Sequence, residues 1–465
     1  MNNSINQPTP LEQLNDVIRD TVSHISDFTK KKGDFTRNRL LNAENTIKVT
    51  LNMEGQSLNT EMISAFPDID KRMSTSAYEM AKSKLTPDLF MSMFYEYNKT
   101  QTHNALLNDR YLLYAIDGCD FNIPYQKKSK YALKVQNGRP KKDGEPIKPY
   151  SLLHGNLLFN LTDRTYADMI IQTNAESDER EACLDMLKRI KVAPEQKYIV
   201  IMDRGYDGFN MIENCNRLGD NAYYVIRTKS GNGGIKEIAN LPDKECDVEM
   251  KFRVTTSNRY YITHKNTENI HLINAIPKKT HTKYISPNTR YQRWDFGQFE
   301  TIKCRVVKFR INNSDTGKEE WEVLVTNLSR FEFPIDKMKE LYHRRWDIET
   351  SFRELKYALG AVQFHSRKDD FVEMELIAHL IMFNVVSRTI NNVTVPQSDK
   401  KKYKYVLSFK DAVTLIRKYY RLFNITPFET IYAEMLGFTR PLVSGRKDKR
   451  NMKSKSAIWF VYRVA

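Results

Sequence analysis

Two apolar runs, each followed by an aspartate, are the first residues in this sequence that could do chemistry. Residues 111–116 precede Asp117, and residues 198–202 precede Asp203. The apolar runs predict buried strands, and open α/β sheets place their ligands at the carboxyl ends of such strands. The two aspartates therefore suggest a carboxylate site, although either one alone is equally typical of a turn that ends a strand.

A third acid lies on a helix predicted over residues 335–359. At ~100° per residue, Tyr342, Arg345, Glu349 and Lys356 fall within a wedge of about 60° that borders the apolar stripe. Glu349 is therefore the acid of this helix that is best placed for a site. Spacing alone still favours a plain amphipathic helix, in which an i,i+4 ion pair between Arg345 and Glu349 contributes roughly a few tenths of a kcal/mol.

The same helix carries a family signature. The spacing Y-x2-R-x3-E-x6-K within the text YHRRWDIETSFRELK resembles the signature of the DDE transposases of bacterial insertion sequences. The texts IDGCDFNIP and IVIMDRGYDG resemble that family's motifs around its first and second acids. The resemblance covers roughly residues 105–395, and the signature is that of insertion-sequence family four and its hairpin-type cut-and-paste relatives.

The resemblance implies a catalytic triad of Asp117, Asp203 and Glu349 that holds two Mg²⁺ ions per active site, with Mn²⁺ as a substitute. Carboxylate oxygens are the hard ligands that these ions prefer. Two ions ~3.5–4 Å apart can activate an attacking oxygen and neutralise a leaving one. The register of the motif selects Asp117 rather than Asp120. Cys119 stands where the family usually has threonine, and we expect the metal site to remain intact because the neighbouring aspartate supplies the ligand.

The resemblance also implies DNA contacts around the acids. Arg345 would hold a phosphate with its bidentate fork, Lys356 would hold one as a point charge, and Tyr342 would hydrogen-bond the backbone near the cleavage point. Trp294 is the candidate for stacking a flipped base, an interaction of ~1–3 kcal/mol. For Trp294, ordinary packing is the favoured alternative. His365 and His379 are predicted to be structural, because a hard-metal site does not need imidazole.

The positive charge is concentrated in two segments. The chain has 73 Lys+Arg against 57 Asp+Glu, a net charge of +16, and its last 65 residues hold 15 basic and only 4 acidic residues. Residues 127–148 form a second basic stretch. Such clusters suit a polyanion such as DNA, and a solvated basic tail is the equally supported alternative. The tail residues predicted to bind DNA are Arg446, Lys447, Lys449 and Arg450.

The elements that must position these residues have an α/β order. The resemblance implies an RNase H-like mixed-sheet catalytic core, and alternating residues after the second aspartate predict a β-rich insertion domain that interrupts it. A helical N-terminal domain, either a DNA-binding head or a structural cap, precedes the core, and a basic, mostly helical region follows it. The predicted boundaries are 1–105, 106–229, 230–319, 320–395 and 396–465.

Four further predictions concern local structure. Thr9 and Glu12 form a capping box that begins the first helix. Asp207 is well placed as the N-cap of the helix after the second acid, and Asp120 fits a turn. Residues 260–262 look like a strand of the insertion.

Composition excludes several classes of protein. No apolar run reaches the ~18 residues of a membrane span, no secretory signal is visible, and the five cysteines form no C-x-x-C pair. We therefore expect a cytoplasmic protein, and the resemblance implies a bacterial one that acts on the nucleoid. The resemblance also implies a transposase that cleaves double-stranded DNA at inverted-repeat ends, transfers the 3′-OH ends into target DNA and works as a homodimer. The alternatives are a catalytically degenerate DNA-binding inhibitor, which the three retained acids disfavour, and an RNase H-like nuclease without strand transfer.

Overall fold

A mixed sheet of ten strands organises the protein, with helices on both of its faces. The computed structural model describes residues 8–103, 105–133, 149–173, 177–229, 234–276, 291–312, 319–398, 400–422, 424 and 426–442. The predicted mixed α/β class is confirmed. Among the residues described, no helix is both long and apolar enough to cross a membrane.

The strands of the described structure are β1 Tyr111–Ile123, β2 Ala132–Leu133, β3 Tyr150–Asn160, β4 Thr165–Thr173, β5 Lys197–Met202, β6 Ala222–Thr228, β7 Cys246–Thr255, β8 Ile270–Leu272, β9 Asn274–Ala275, β10 Tyr291–Gln292, β11 Phe299–Asn312, β12 Glu319–Thr326, β13 Lys404–Leu407 and β14 Thr439–Leu442. The helices are α1 Pro10–Ser23, α2 Ala43–Leu51, α3 Leu58–Ala65, α4 Thr75–Lys82, α5 Pro87–Lys99, α6 Glu179–Arg189, α7 Phe209–Asn216, α8 Lys236–Ala239, α9 Asn258–His264, α10 Ile335–His343, α11 Trp346–Arg353, α12 Asp369–Asn391, α13 Phe409–Tyr419 and α14 Thr430–Met435.

The middle of the sheet is buried on both faces. Its strand order is β2-β3-β1-β5-β6-β12-β11-β7-β8, and β4 also pairs with β3. Alternate residues of β1 enter two different cores, which explains why its first half reads as a continuous apolar run. Helices α11 and α12 cover one face, and α6 and α7 cover the other.

Strand β1 does not end at the first candidate acid. Its parallel pairing with β5 stops at Ala115 and Ile201, but its antiparallel pairing with β3 continues to Ile123. Asp117 therefore lies within a strand, at the point where one neighbouring strand has ended. The turn predicted at Asp120 is wrong for the same reason, because this residue is still paired with β3.

The segment predicted as a β-rich insertion adds strands to the same sheet. Strand β11 pairs with β12 on one side and β7 on the other, so the sheet runs on without a break. The domain boundaries stay predictions. Residues 260–262 are helical instead of extended. Ser257 caps this helix by accepting a hydrogen bond from the Tyr260 amide, and Tyr260 stacks on His264 one turn later.

The N-terminal helices pack around α12, which is buried over most of its length. Helix α1 begins with the predicted capping box between Thr9 and Glu12. The described part of the C-terminal region, which ends at residue 442, contains α13 and α14 together with the paired strands β13 and β14. This part includes strands that the prediction of a mostly helical region did not anticipate.

The single helix predicted over residues 335–359 is wrong. Helix α10 ends at His343 and α11 begins at Trp346, because the backbone between them forms tighter bonds to carbonyls three residues back. After α11 the chain makes a π-helical turn over Glu354–Ala358. The helical wheel used for the signature therefore does not hold along its whole length.

Candidate active site

Asp117 and Asp203 lie close together at the edge where the parallel strands β1 and β5 part. Burial, and after it the charge of Asp203, raises the pKa of Asp117 to about 7. Each carboxylate is oriented by a backbone amide: Gly118 N–H donates to Asp117 at 2.9 Å, and Gly205 N–H donates to Asp203 at 2.7 Å. The two carboxylates thus repel each other in fixed orientations.

Arg345 links this pair to the third acid. Its Nη1 is 3.7 Å from Asp117 Oδ2, and its Nη2 donates to Glu349 Oε1 at 2.8 Å. Only 5% of Arg345 is exposed, so its charge is poorly screened by water. Arg345 lies at the break between α10 and α11, and its buried side chain contacts both Asp117 and Glu349.

The carboxylates fit a divalent cation in part. Asp117 and Asp203 offer hard oxygens, and a cation would relieve the repulsion that raises the pKa of Asp117. Within the described part of the chain, however, no three candidate ligands are grouped closely enough to hold one ion. Glu349 is instead engaged by Arg345. The metal ligand set Asp117, Asp203 and Glu349 stays a prediction.

Tyr342 is buried beside the acids. Its hydroxyl has no hydrogen-bond partner among the described residues. Burial raises its pKa, and the charges of Arg345 and Arg227 partly oppose this rise. Arg227 lies 6.0 Å from the centre of the Tyr342 ring and forms a 2.9 Å ion pair with Glu322. Sequence reasoning missed both Arg227, near the end of β6, and Glu322, in the middle of β12, because it did not establish the pairing of these strands.

Lys356 lies in the π-helical turn after α11, beside the later part of β1 and away from the contacts of Arg345. Its ammonium group is 5.3 Å from the centre of the Phe121 ring. Burial raises the pKa of the Cys119 thiol to about 11, and the nearby charge of Lys356 partly opposes this rise. A role for Lys356 in binding phosphate stays a prediction.

Trp294 is half-buried against the core between α6, α7 and the sheet. Its indole N–H donates to the Gly297 carbonyl at 2.9 Å, and Phe296 packs edge-on at 5.2 Å. These contacts support the packing interpretation. The stacking role of Trp294 stays a prediction, because its neighbours in sequence attach this segment to α6 and α7 beside Asp203.

An ionic cluster that the sequence did not reveal lies on the opposite face of β1. His154 contacts Asp120 at 2.7 Å and Glu179 at 3.3 Å. Burial alone would lower the pKa of His154, but these two carboxylates outweigh it and raise the pKa to about 9. Asp120 and His154 are direct partners in the register of β1 and β3, which only the structure gives.

The predicted N-cap role of Asp207 is wrong. Gly208 occupies the N-cap position of α7, and Asp207 is fully buried instead. It accepts a 2.5 Å hydrogen bond from the Thr228 hydroxyl, and burial raises its pKa to about 6. Asp203 is the residue that caps a helical turn, over Arg204–Tyr206.

The remaining predicted site residues lie elsewhere. His365 contacts Glu375 at 2.5 Å and His379 contacts the Glu375 carbonyl at 2.6 Å, which supports their structural interpretation. Much of the basic stretch 127–148 lies outside the described residues. The same holds for the basic tail residues Arg446, Lys447, Lys449 and Arg450.

Comparison with known proteins gives the family. A solved structure, the cryo-EM structure of a piggyBac transposase synaptic complex with hairpin DNA, is similar with a TM-score of 0.47 and 10% identity, over 96% of this chain and 89% of that one. No curated protein matches the chain. The model of the family described as "Transposase DDE domain" matches residues 109–385. This match spans more than half of the sequence and includes all three candidate acids, so the chain belongs to the transposase DDE domain family.

Proposed function

We propose that the protein is a cut-and-paste transposase that cleaves the inverted-repeat ends of an insertion sequence and joins the 3′-OH ends to target DNA. The observation that carries the proposal is the meeting of Asp117 and Asp203, which lie far apart in sequence, with Arg345 bridging to Glu349. The strand order β4-β3-β1-β5-β6 supports an RNase H-like core. The signature around Glu349 supports membership of insertion-sequence family four.

The roles of the acids follow from their electrostatics. Asp117, Asp203 and Glu349 would hold Mg²⁺ or Mn²⁺, two ions per active site. When bound there, such ions supply activation of the attacking oxygen and neutralisation of the leaving 3′ oxygen. The backbone amides of Gly118 and Gly205 fix the orientations of the two aspartate side chains that would hold the ions.

The basic residues would bind and orient the DNA. Arg345 can exchange its contact with Glu349 for a phosphate, because guanidinium binds either anion through the same fork. The unpartnered hydroxyl of Tyr342 can donate to a phosphate oxygen near the cleavage point. Lys356 would hold a phosphate further along β1, and Trp294 could stack an unpaired base if a hairpin forms. The basic tail would bind the DNA duplex. Two copies of the chain would hold the two transposon ends.

The proposal is tested with double-stranded DNA that carries the terminal repeats of the element encoding the chain. Asp203→Asn and Glu349→Gln should abolish Mg²⁺- or Mn²⁺-dependent cleavage while end binding persists. The matched controls Asp185→Asn and Glu340→Gln change exposed acids on α6 and α10 and should cleave normally. Undiminished cleavage by either active-site variant would contradict the assignment.

A second measurement separates the proposal from its alternatives. Joining of a labelled 3′ end to a target plasmid is expected of a transposase. Release of nicked DNA without joining would indicate an RNase H-like nuclease, and end binding without any metal-dependent nicking would indicate an inhibitor.

A further inference from the structure

The first turn of α6 touches three separate parts of the candidate active site. Three consecutive residues, Glu179, Arg180 and Glu181, each extend to a different element. We propose that this turn is a positioning element that sets the placement of Asp117, Asp203 and the Trp294 segment relative to one another. The inference rests on the proposed function, because it assumes that these residues form one site.

Glu179 supports the strand that carries Asp117. It contacts His154 at 3.3 Å, and His154 in turn contacts Asp120 at 2.7 Å, three residues after Asp117. The Glu179 side chain comes so close here that a β-carbon on Gly118 would lie 2.5 Å from Glu179 Oε1. Glycine directly after the first acid therefore leaves room for the Glu179 and His154 side chains behind that acid.

Arg180 supports the loop that carries Asp203. Its Nε donates to the Gly205 carbonyl at 2.8 Å, while the Gly205 amide donates to Asp203 Oδ1 at 2.7 Å. One glycine thus connects the arginine to the carboxylate. Glu179 and Arg180 are adjacent on one helical turn. Their contacts therefore set the distance between β1, which carries Asp117, and the loop that carries Asp203.

Glu181 attaches the segment around Trp294. It forms a 2.9 Å ion pair with Arg293, and Asp295 is bonded to Asn210 of α7 at 3.0 Å. Trp294 is therefore held between contacts to the two helices that flank Asp203. The turn itself is fastened to the sheet, since the Asp178 amide donates to Gln172 of β4 at 3.2 Å.

The test measures Mn²⁺ binding to the DNA-free full chain by electron paramagnetic resonance, together with cleavage. Loss of a group that orients a metal ligand costs ~10–100-fold in metal affinity or activity. We expect Glu179→Gln and Arg180→Met to weaken Mn²⁺ binding about 10-fold, and Arg180→Lys, which keeps a donor, to restore most of it. Glu181→Gln should leave Mn²⁺ binding unchanged and lower cleavage of transposon ends.

Exposed residues on the same helix supply the controls. Asp185→Asn and Lys188→Gln should match the wild type in Mn²⁺ binding, cleavage and thermal unfolding. The inference is overturned if Asp203→Asn abolishes Mn²⁺ binding while Glu179→Gln and Arg180→Met both bind like these controls. It is equally overturned if the two variants lose Mn²⁺ binding only in proportion to unfolded protein. If Asp203→Asn itself binds and cleaves normally, the proposed function has failed instead.

Discussion

Two groups of carboxylates in this protein, one half-buried and one fully buried, have opposite electrostatics. At the sheet edge, burial and the neighbouring Asp203 raise the pKa of Asp117 to about 7. Where the N-terminal helices meet α12, burial alone would raise the pKa of Glu375, but His365 and Lys82 outweigh it and lower it to about 2. Glu375 is fully buried, and it lies 2.5 Å from His365 and 3.9 Å from Lys82.

The difference distinguishes a ligand-binding site, formed by Asp117 and Asp203, from a structural cluster around Glu375. A buried carboxylate with cationic partners contributes to stability because removing one partner leaves an uncompensated charge. Two carboxylates that face each other store repulsion, which an external cation can relieve. The first arrangement joins the N-terminal helices to α12. The second leaves repulsion between two carboxylates that a cation would relieve, as expected where a ligand binds.

The largest expected effect comes from neutralising one member of the repelling pair. Asp117→Asn should reduce cleavage on the order of 1,000-fold, the equivalent of about 4 kcal/mol of lost charge stabilisation. Without divalent ions at pH 8, the same variant should be more stable to urea by about 1–3 kcal/mol, because the repulsion is gone. Adding Mg²⁺ should reduce this difference in stability, because a bound cation relieves the repulsion in the wild type. A variant that loses both activity and stability would show that Asp117 is structural.

Breaking the paired cluster should do the reverse. Glu375→Ala leaves His365 and Lys82 buried without their shared partner, which we expect to cost about 3–5 kcal/mol in urea unfolding. Asp370→Ala is the matched control on the same helix. Its ion pair with Lys30 is about half exposed, so the loss should be less than about 1 kcal/mol. Equal losses for the two variants would mean that the cluster around Glu375 is no stronger than a surface pair.

The two carboxylates also predict opposite pH slopes. The raised pKa of Asp117 means that its contribution to stability is full below about pH 4 and is lost as the pH rises toward 7. The lowered pKa of Glu375 means that its contribution is full above about pH 4.5 and is lost as the pH falls toward 2. Urea unfolding of the wild type, Asp117→Asn and Glu375→Gln from pH 3 to 8 measures both slopes.

Each variant should remove its own slope and leave the other. Subtracting the Asp117→Asn curve from the wild-type curve isolates the Asp117 slope, since other titrating groups cancel. A difference curve that is flat between pH 4 and 7 would contradict the raised pKa, and one that rises with pH would reverse its sign.

Local chemistry explains how much of this arrangement the sequence could predict. The apolar runs before Asp117 and Asp203 and the capping box at Thr9 depend on neighbours along the chain, whereas the continuation of β1 past Asp117 depends on its pairing with β3. The ionic clusters depend on register and packing between distant segments. His154 meets Asp120 only through the pairing of β1 with β3, and Glu375 meets Lys82 only because α4 packs near α12.

The segment that carries the family signature also shows what sequence spacing can and cannot predict. Its residue spacing identified Glu349 and Arg345, but a wheel assumes an unbroken helix. The break after His343 and the π-helical turn at Glu354–Ala358 change where each side chain lies. Nothing in the residue spacing predicts the break or the π-helical turn.

The smallest expected effects come from two buried tyrosines, one with a hydrogen-bonded hydroxyl and one without. Tyr78 shares a 2.7 Å hydrogen bond with Thr50, whereas Tyr342 has no partner for its hydroxyl among the described residues. Tyr78→Phe should therefore cost about 1 kcal/mol of stability and leave cleavage unchanged. Tyr342→Phe should leave stability unchanged or slightly higher and lower cleavage about 10-fold, since the hydroxyl is free to bind a phosphate. If Tyr342→Phe instead destabilises the protein as Tyr78→Phe does, that hydroxyl has a structural role rather than one in the site.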